Sequence, residues 1–282
     1  MLPPKEGGRT VCSRRIMSSI KVSHYKIRIS DPMLRPQQPF SIAVLADLHN
    51  TVIGEQNETL LQEIREADPK AVLSAGDMVL AKAKNLGIDS AVALLGELTR
   101  RYPVYCANGN HETRMEYRQE AFGDAYEKYT QKIRSLGVRV LRNSGQFLEI
   151  NRTKLAIYGY EMDWKYYGHG RRQKMPAEEI REALGEPAEG AYRILLAHNP
   201  DYFSAYAQWG ADLTLSGHLH GGMVRLPKIG GLISPNWTLF PKYDHGLYTI
   251  EEKKMIVSAG LGSHTIKLRI NNPPELVVLD FV

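Results

Sequence analysis

Apolar residues in this chain fall into short, nearly unbroken runs that stop abruptly at a polar residue. Phe40 to Ala46 (FSIAVLA) has one polar position and ends at Asp47, the pattern of a strand buried on both faces. Before it, Tyr25, Ile27 and Ile29 alternate with polar neighbours and predict a half-buried strand, followed by a Pro-rich joint from Asp31 to Pro39. The rhythm then repeats. Glu58 to Ala67 has helical spacing, Ala71 to Ala75 is a short strand running into Gly76-Asp77, and Asp89 to Arg100 is a helix with Ala91, Leu94, Leu95 and Leu98 on its inner face. Val104 to Ala107 predicts a strand leading to Asn108-Gly109-Asn110-His111, and Tyr117 to Leu136 one longer helix. Further strands are predicted at Val138 to Leu141, Gln146 to Ile150, Lys154 to Tyr160, Ile194 to Ala197, Asp212 to Leu215, Gly246 to Ile250, Met255 to Ala259 and Leu276 to Asp280. Helices that alternate with strands and then give way to consecutive strands argue for an α/β layered fold, of α+β type, with mixed sheets.

Composition narrows this picture. The 282 residues suffice for a full core, with 43% hydrophobic and 24% charged residues as in an ordinary globular protein. The expected organisation is a flexible segment over 1–22 and one domain over 23–282. No apolar run reaches the roughly 20 residues of a transmembrane helix, and Arg14-Arg15 precede no apolar stretch, so the start does not read as a signal peptide. The expected location is the cytoplasm, with membrane association as the alternative. Only Cys12 and Cys106 occur, and Cys106 sits in an apolar run as a buried free thiol would. A net charge of +5 suits an anionic substrate. The basic residues are dispersed in pairs such as Arg100-Arg101 and Arg171-Arg172, a weak sign of nucleic-acid binding.

The chemistry lies at the strand ends. Five apolar runs stop at Asp, Asn or His: Asp47-Leu48-His49, Gly76-Asp77, Gly109-Asn110-His111-Glu112, His198, and Gly217-His218-Leu219-His220. Ligands of open α/β sheets bind just beyond the carboxyl ends of strands. In extended backbone, Asp47 and His49 would point to one side while Leu48 turns to the core, and His218 and His220 repeat that spacing. Glycines at 76, 109 and 217 suit tight turns and close approach. Carboxylate, imidazole and amide oxygen together favour borderline first-row metals such as manganese, iron or zinc.

In order and type these motifs resemble those of the calcineurin-like metallophosphoesterase superfamily: Asp-x-His, Gly-Asp, Gly-Asn-His-Asp/Glu, a lone His and Gly-His-x-His. The likeness runs from about Tyr25 to the C-terminus, and Arg225-Leu226-Pro227 and Gly260-Leu261-Gly262 resemble the bacterial single-domain branch, which includes enzymes acting on UDP-diacylglucosamine. At Met78-Val79-Leu80 the chain departs from many relatives, which carry a further acidic residue after Gly-Asp. The resemblance implies a four-layer sandwich of two face-to-face mixed sheets flanked by helices. It implies two divalent or trivalent ions (Mn, Fe or Zn), one on Asp47, His49 and His220 and the other on Asn110, His198 and His218, with Asp77 bridging both. The implied reaction is hydrolysis of a phosphomonoester, phosphodiester or pyrophosphate by a hydroxide shared between ions about 3.5–4 Å apart. The implied catalytic residues are Asp77 and His111, the latter protonating the leaving group.

Other residues carry smaller expectations. Glu112 would orient a ligand imidazole, Asn50 and His264 could reach substrate, and Arg171 and Arg172 could grip a second phosphate. His169 reads as a loop residue, and Trp209 and Trp237 as packing residues. The expected partner is a small-molecule or lipid-linked phosphoester, with peripheral membrane contact through Gly230 to Phe240 the alternative to a buried loop there. Two competing readings are a nuclease and a non-catalytic metal-binding interaction protein. Oligomeric state is not legible from the residues.

Overall fold

The computed structural model describes residues 19–82, 86–167, 173–222, 241–262, 269 and 271–282, together with the backbone of 224–226 and 230–233. In chain order the regular elements begin with β1 (Lys21–Ile27), β2 (Phe40–Leu45), α1 (Glu58–Glu66), β3 (Pro69–Ser74), α2 (Asp89–Thr99) and β4 (Val104–Ala107). Next come α3 (Asn110–Tyr117), α4 (Gln119–Phe122), α5 (Ala125–Ser135), β5 (Arg139–Leu141), β6 (Ser144–Ile150) and β7 (Thr153–Tyr160). The second half holds α6 (Ala177–Leu184), β8 (Tyr192–Ala197), α7 (Phe203–Trp209), β9 (Leu213–Ser216), β10 (Val224–Leu226), β11 (Gly230–Ile233), β12 (Gly246–Ile250), β13 (Lys253–Val257) and β14 (Glu275–Phe281).

Two six-stranded mixed sheets result, in the orders β1-β14-β2-β3-β4-β5 and β12-β13-β9-β8-β7-β6, beside a β10-β11 hairpin. Within them β2, β3, β4 and β5 run parallel, as do β7, β8, β9 and β13. Strand periodicity explains the continuous apolar runs. In β2, Ile42 and Val44 join a central core with Ile157, Ile194, Leu196 and Leu215 of the other sheet, whereas Ala43 and Leu45 face outward against Leu60 and Ile64 of α1. In β8, Leu195 and Ala197 turn the other way, against Ile180 of α6 and Tyr206 of α7. Each central strand is thus covered on both faces, and the layers are helix, sheet, sheet, helix, as expected.

Some expectations need correction. The first strand begins at Lys21 rather than Tyr25. The single helix predicted from Tyr117 to Leu136 is three pieces, because Arg118 leaves helical geometry (φ −119°, ψ 58°) and Gly123 adopts φ 59°. The helix-favouring composition of that stretch conceals the breaks. Helices α6 and α7 were not predicted; Ile180 and Tyr206 are fully buried there. Cys106 is a buried free thiol, and Trp209 packs in the core with its Nε1 donating to Gly185 O at 2.9 Å. Cys12, Arg14, Arg15, His169, Arg171, Arg172, Trp237 and His264, and the side chains of 223–240, lie outside the described residues. No helix among the described residues is long and apolar enough to cross a membrane.

Leu196 is fully buried between the sheets. Leu196→Ala is expected to cost about 2–5 kcal/mol, read from the midpoint of urea unfolding; a shift equivalent to less than about 1 kcal/mol would contradict a close-packed intersheet core.

Candidate metal centre

All eight sequence-predicted site residues converge at the carboxyl ends of parallel strands. Asp47 and His49 follow β2, Asp77 follows β3, and Asn110 and His111 open α3 just after β4. From the other sheet, His198 follows β8, and His218 and His220 follow β9. Asp47, His49, Asp77, Asn110, His111, His198 and His220 are buried, with His218 half-buried. Three groups of ligand atoms lie within 4.8 Å of one another: Asp47 with His49 and His220, Asp47 with Asp77 and His198, and His49 with Asp77 and His111.

The local backbone is not the extended chain that the two-residue spacing suggested. Asp47, His49, Asp77, His218 and His220 all have φ between 49° and 72°, left-handed values uncommon outside glycine but best tolerated by Asn, Asp and His. The side chains still share a side while Leu48 and Leu219 are buried, because cross-loop hydrogen bonds replace the ladder. The N–H groups of Asp47, His49 and Asn50 donate to the carbonyls of Gly76, Asp77 and Met78 at 3.0, 3.0 and 3.2 Å. The glycines serve the carboxylates: a Cβ on Gly217 would overlap Asp47 Oδ2, and one on Gly109 would overlap Asp77 Oδ1.

Electrostatics hold both aspartates ionised. Burial raises the Asp47 pKa, but His220, His49 and His198 bring it well below the usual carboxylate range. Asp77 behaves likewise, with His198 and His111 overriding burial. The N–H of His218 donates to both Asp47 oxygens at 3.1 Å, and that of His111 to Asp77 Oδ1 at 2.8 Å.

Whether these residues suit a cation can be tested at His198. Its Nδ1 must donate to the Ala75 carbonyl, 2.8 Å away, which leaves Nε2 as the lone-pair nitrogen of a neutral ring. That nitrogen lies 3.1 Å from Asp77 Oδ2 and 3.7 Å from Asp47 Oδ1. Acceptors facing acceptors require a positive charge among them. Burial opposes a proton there, but Asp77 and Asp47 push the His198 pKa up to about 10. A divalent ion meets the same demand without protonating the ring, so the donor set fits a metal.

The surrounding shell contains residues that motif reading missed or misassigned. Glu112 does not orient an imidazole. Its Oε2 accepts from Asp77 N and Gly109 N at 2.9 Å each, and its Oε1 from Val79 N at 3.2 Å, clamping two site loops together. Burial, then the charge of Asp77, raises its pKa to about 7. Buried Asn272 donates through Nδ2 to the carbonyls of His220 and Gly222 at 2.6 and 2.8 Å and so holds the Gly217–Gly222 loop. Its place in the turn Asn271-Asn272-Pro273-Pro274 was the available signal. Asn50 is half-buried beside His49.

The Calcineurin-like phosphoesterase family model matches residues 40–222. The chain belongs to this family and is a metal-binding hydrolase of phosphoesters. Among curated relatives, the uncharacterized metallophosphoesterase YkuE of Bacillus subtilis is 27% identical over 242 residues, covering 85% of this chain and 78% of that protein. Phosphodiesterase YaeI of Escherichia coli is 27% identical over 248 residues, 86% of this chain and 83% of that protein. UDP-2,3-diacylglucosamine pyrophosphatase LpxG of Chlamydia muridarum is 30% identical over 98 residues, 30% of this chain and 28% of its own.

A carboxamide at position 112 would keep one acceptor oxygen and turn its NH2 toward an N–H donor that the second carboxylate oxygen now receives. Glu112→Gln is expected to destabilise the metal-free protein by about 1–3 kcal/mol; urea unfolding within about 0.5 kcal/mol of wild type would remove the loop-clamp role.

Proposed function

We propose that this chain is a dinuclear phosphoesterase acting on a phosphodiester or pyrophosphate. One ion would be held by Asp47, His49 and His220, the other by Asn110, His198 and His218, with Asp77 between them. The observation that carries this reading is Nε2 of His198 turned onto two buried carboxylates. Ligand spacing supports it as well. His49 Nε2 and His220 Nε2 are 3.1 Å apart, and Asn110 Oδ1 and His218 Nδ1 are 2.8 Å apart, close to the roughly 3 Å between neighbouring ligands at metal–ligand distances of about 2.1 Å. Two bound divalent ions would supply acidification of a shared water and charge neutralisation at the phosphoryl oxygens.

The chain's own residues supply the rest. His111 Nδ1 accepts the N–H of Ala81 at 3.0 Å. A neutral His111 therefore carries its proton on Nε2, ready for the leaving-group oxygen. Its own N–H, bonded to Asp77 Oδ1, ties this acid to the bridging carboxylate. A diester is supported by YaeI, and a pyrophosphate or lipid-linked substrate by LpxG.

With manganese present, bis-p-nitrophenyl phosphate is expected to be hydrolysed faster than p-nitrophenyl phosphate, and a chelator should stop both reactions. Asp77→Asn should lower turnover by about a hundredfold or more. His111→Gln should retain metal but lose about 10²–10⁴-fold in kcat on a diester with an alkyl leaving group, and less on p-nitrophenyl esters, which need no acid. Unchanged turnover in Asp77→Asn would end the dinuclear account.

A second expectation concerns protons. The His198 pKa stands above the ordinary imidazole value of 6.5, at about 10. The metal-free ring therefore keeps its proton between those values; the stability this confers is full below the lower and lost as pH passes the upper. Metal must displace that proton, so manganese affinity should rise with pH up to about 10. Calorimetry at pH 8 in buffers of differing ionisation enthalpy should register proton release; a binding enthalpy independent of buffer would refute the assignment of His198.

A further inference from the structure

Beside His111 the surface opens into a pocket of about 690 Å³, lined among others by Ala81, Arg114, Tyr117, Arg118, Phe122 and Trp164. Ala81 joins it directly to the site, since its N–H is the donor to His111 Nδ1. His111, Arg114 and Arg118 follow one another at i, i+3 and i+7, so the three side chains share one face of α3 and its C-terminal end. An aromatic wall runs back toward the other sheet. Tyr117 stacks on Trp164 at 6.0 Å, Trp164 meets Tyr167 at 5.7 Å, and Tyr167 meets the His218 ring at 5.6 Å. The pocket is thus linked to His111 through Ala81 and, through Trp164 and Tyr167, to His218.

Its charge is one-sided. Two guanidiniums and no carboxylate occur among the described lining residues. Arg118 pairs with exposed Glu120 at 3.1 Å. Arg114 instead lies over the Trp164 ring, 5.6 Å from its centroid, and pairs with no carboxylate among the described residues. Burial lowers its pKa, with Asp77 opposing that shift. A half-buried guanidinium oriented by an aromatic face has lost hydration without gaining an ion pair, and its planar donor fork matches phosphate oxygens.

We propose that Arg114, braced on Trp164, binds a second phosphate of the substrate on the leaving-group side of the scissile phosphorus, so that phosphoanhydrides are the preferred substrate class. This rests on the phosphoesterase reading above, because His111 marks that side. In the reaction a water oxygen bonds to one phosphorus and the anhydride P–O bond breaks. The electron pair stays on the departing phosphate, whose charge Arg114 faces, and water's surplus proton goes to solvent.

The test uses the full chain loaded with manganese and titrated calorimetrically with adenosine 5′-diphosphate and 5′-monophosphate. The diphosphate is expected to bind tenfold or more tightly. The gap should close to within about twofold in Arg114→Ala and survive in part in Arg114→Lys. In parallel, the ratio of kcat/KM for ADP-ribose over bis-p-nitrophenyl phosphate should fall tenfold or more in Arg114→Ala, with metal content and circular dichroism checked in both variants. No gap in the wild type, a gap that survives Arg114→Ala, or equal losses on both substrates would overturn the proposal. Hydrolysis of bis-p-nitrophenyl phosphate without the gap would sink this subsite alone. The gap and its loss without hydrolysis of either compound would support the anion subsite and sink the catalytic reading.

Discussion

The burial of two like-charged carboxylates side by side governs the rest of this structure. Asp47 and Asp77 are almost wholly removed from solvent, and their ligand oxygens share a cluster no wider than 4.8 Å. At an effective dielectric of about 20, that separation means repulsion of about 3–4 kcal/mol, before any desolvation cost. Each receives a backbone donor, from His218 or His111, and a hydrogen bond to a charged group contributes about 1.5–3 kcal/mol. Those donors offset only part of the sum. The imidazoles arranged around the carboxylates, His198 foremost, offset the remainder, and a bound cation would take over that role.

The backbone carries a related cost. Five site residues occupy left-handed geometry, each at about 1 kcal/mol or more, which together approaches the net stability of a typical domain. Such strain persists where surroundings over-determine it. Here the surroundings are Glu112 clamping the loops after β3 and β4, Asn272 holding the loop after β9, and cross-loop bonds between the ends of β2 and β3. Ligand binding and folding are therefore thermodynamically linked in this site.

What could be read from sequence follows from the same division. Strands buried on both faces announce themselves as unbroken apolar runs, and polar residues that interrupt such runs at their ends have few structural reasons to be there. Hence β2, β3, β4, β8 and β9 were legible, as were the eight candidate residues that converge beyond their ends. The conformation of those residues was not. Spacing by two is equally compatible with extended chain and with the left-handed turns observed at Asp47, His49, His218 and His220, and only the cross-loop bonds decide. Helix α7 escaped notice because it is seven residues long, too short for its exposed polar pair Ser204 and Gln208 to establish a helical period. The breaks at Arg118 and Gly123 were hidden by good helix formers on either side. Glu112 and Asn272 act on main-chain groups, and a side chain that serves backbone leaves no spacing pattern.

The breaks around α4 also shape the surroundings of the site. A continuous helix from Asn110 to Ser135 would carry the chain straight past the site. Ending α3 at Tyr117 instead exposes that ring and folds Phe122 back beside Arg118, forming a pocket on the face that carries His111. The opposite wall comes from Trp164, immediately beyond β7 of the other sheet, with Tyr167 packed against it. Each sheet thus contributes both candidate ligands and pocket walls, and the intersheet core sets the distance between them. The geometry of the candidate site and the space of the neighbouring pocket are consequently set by one packing interface.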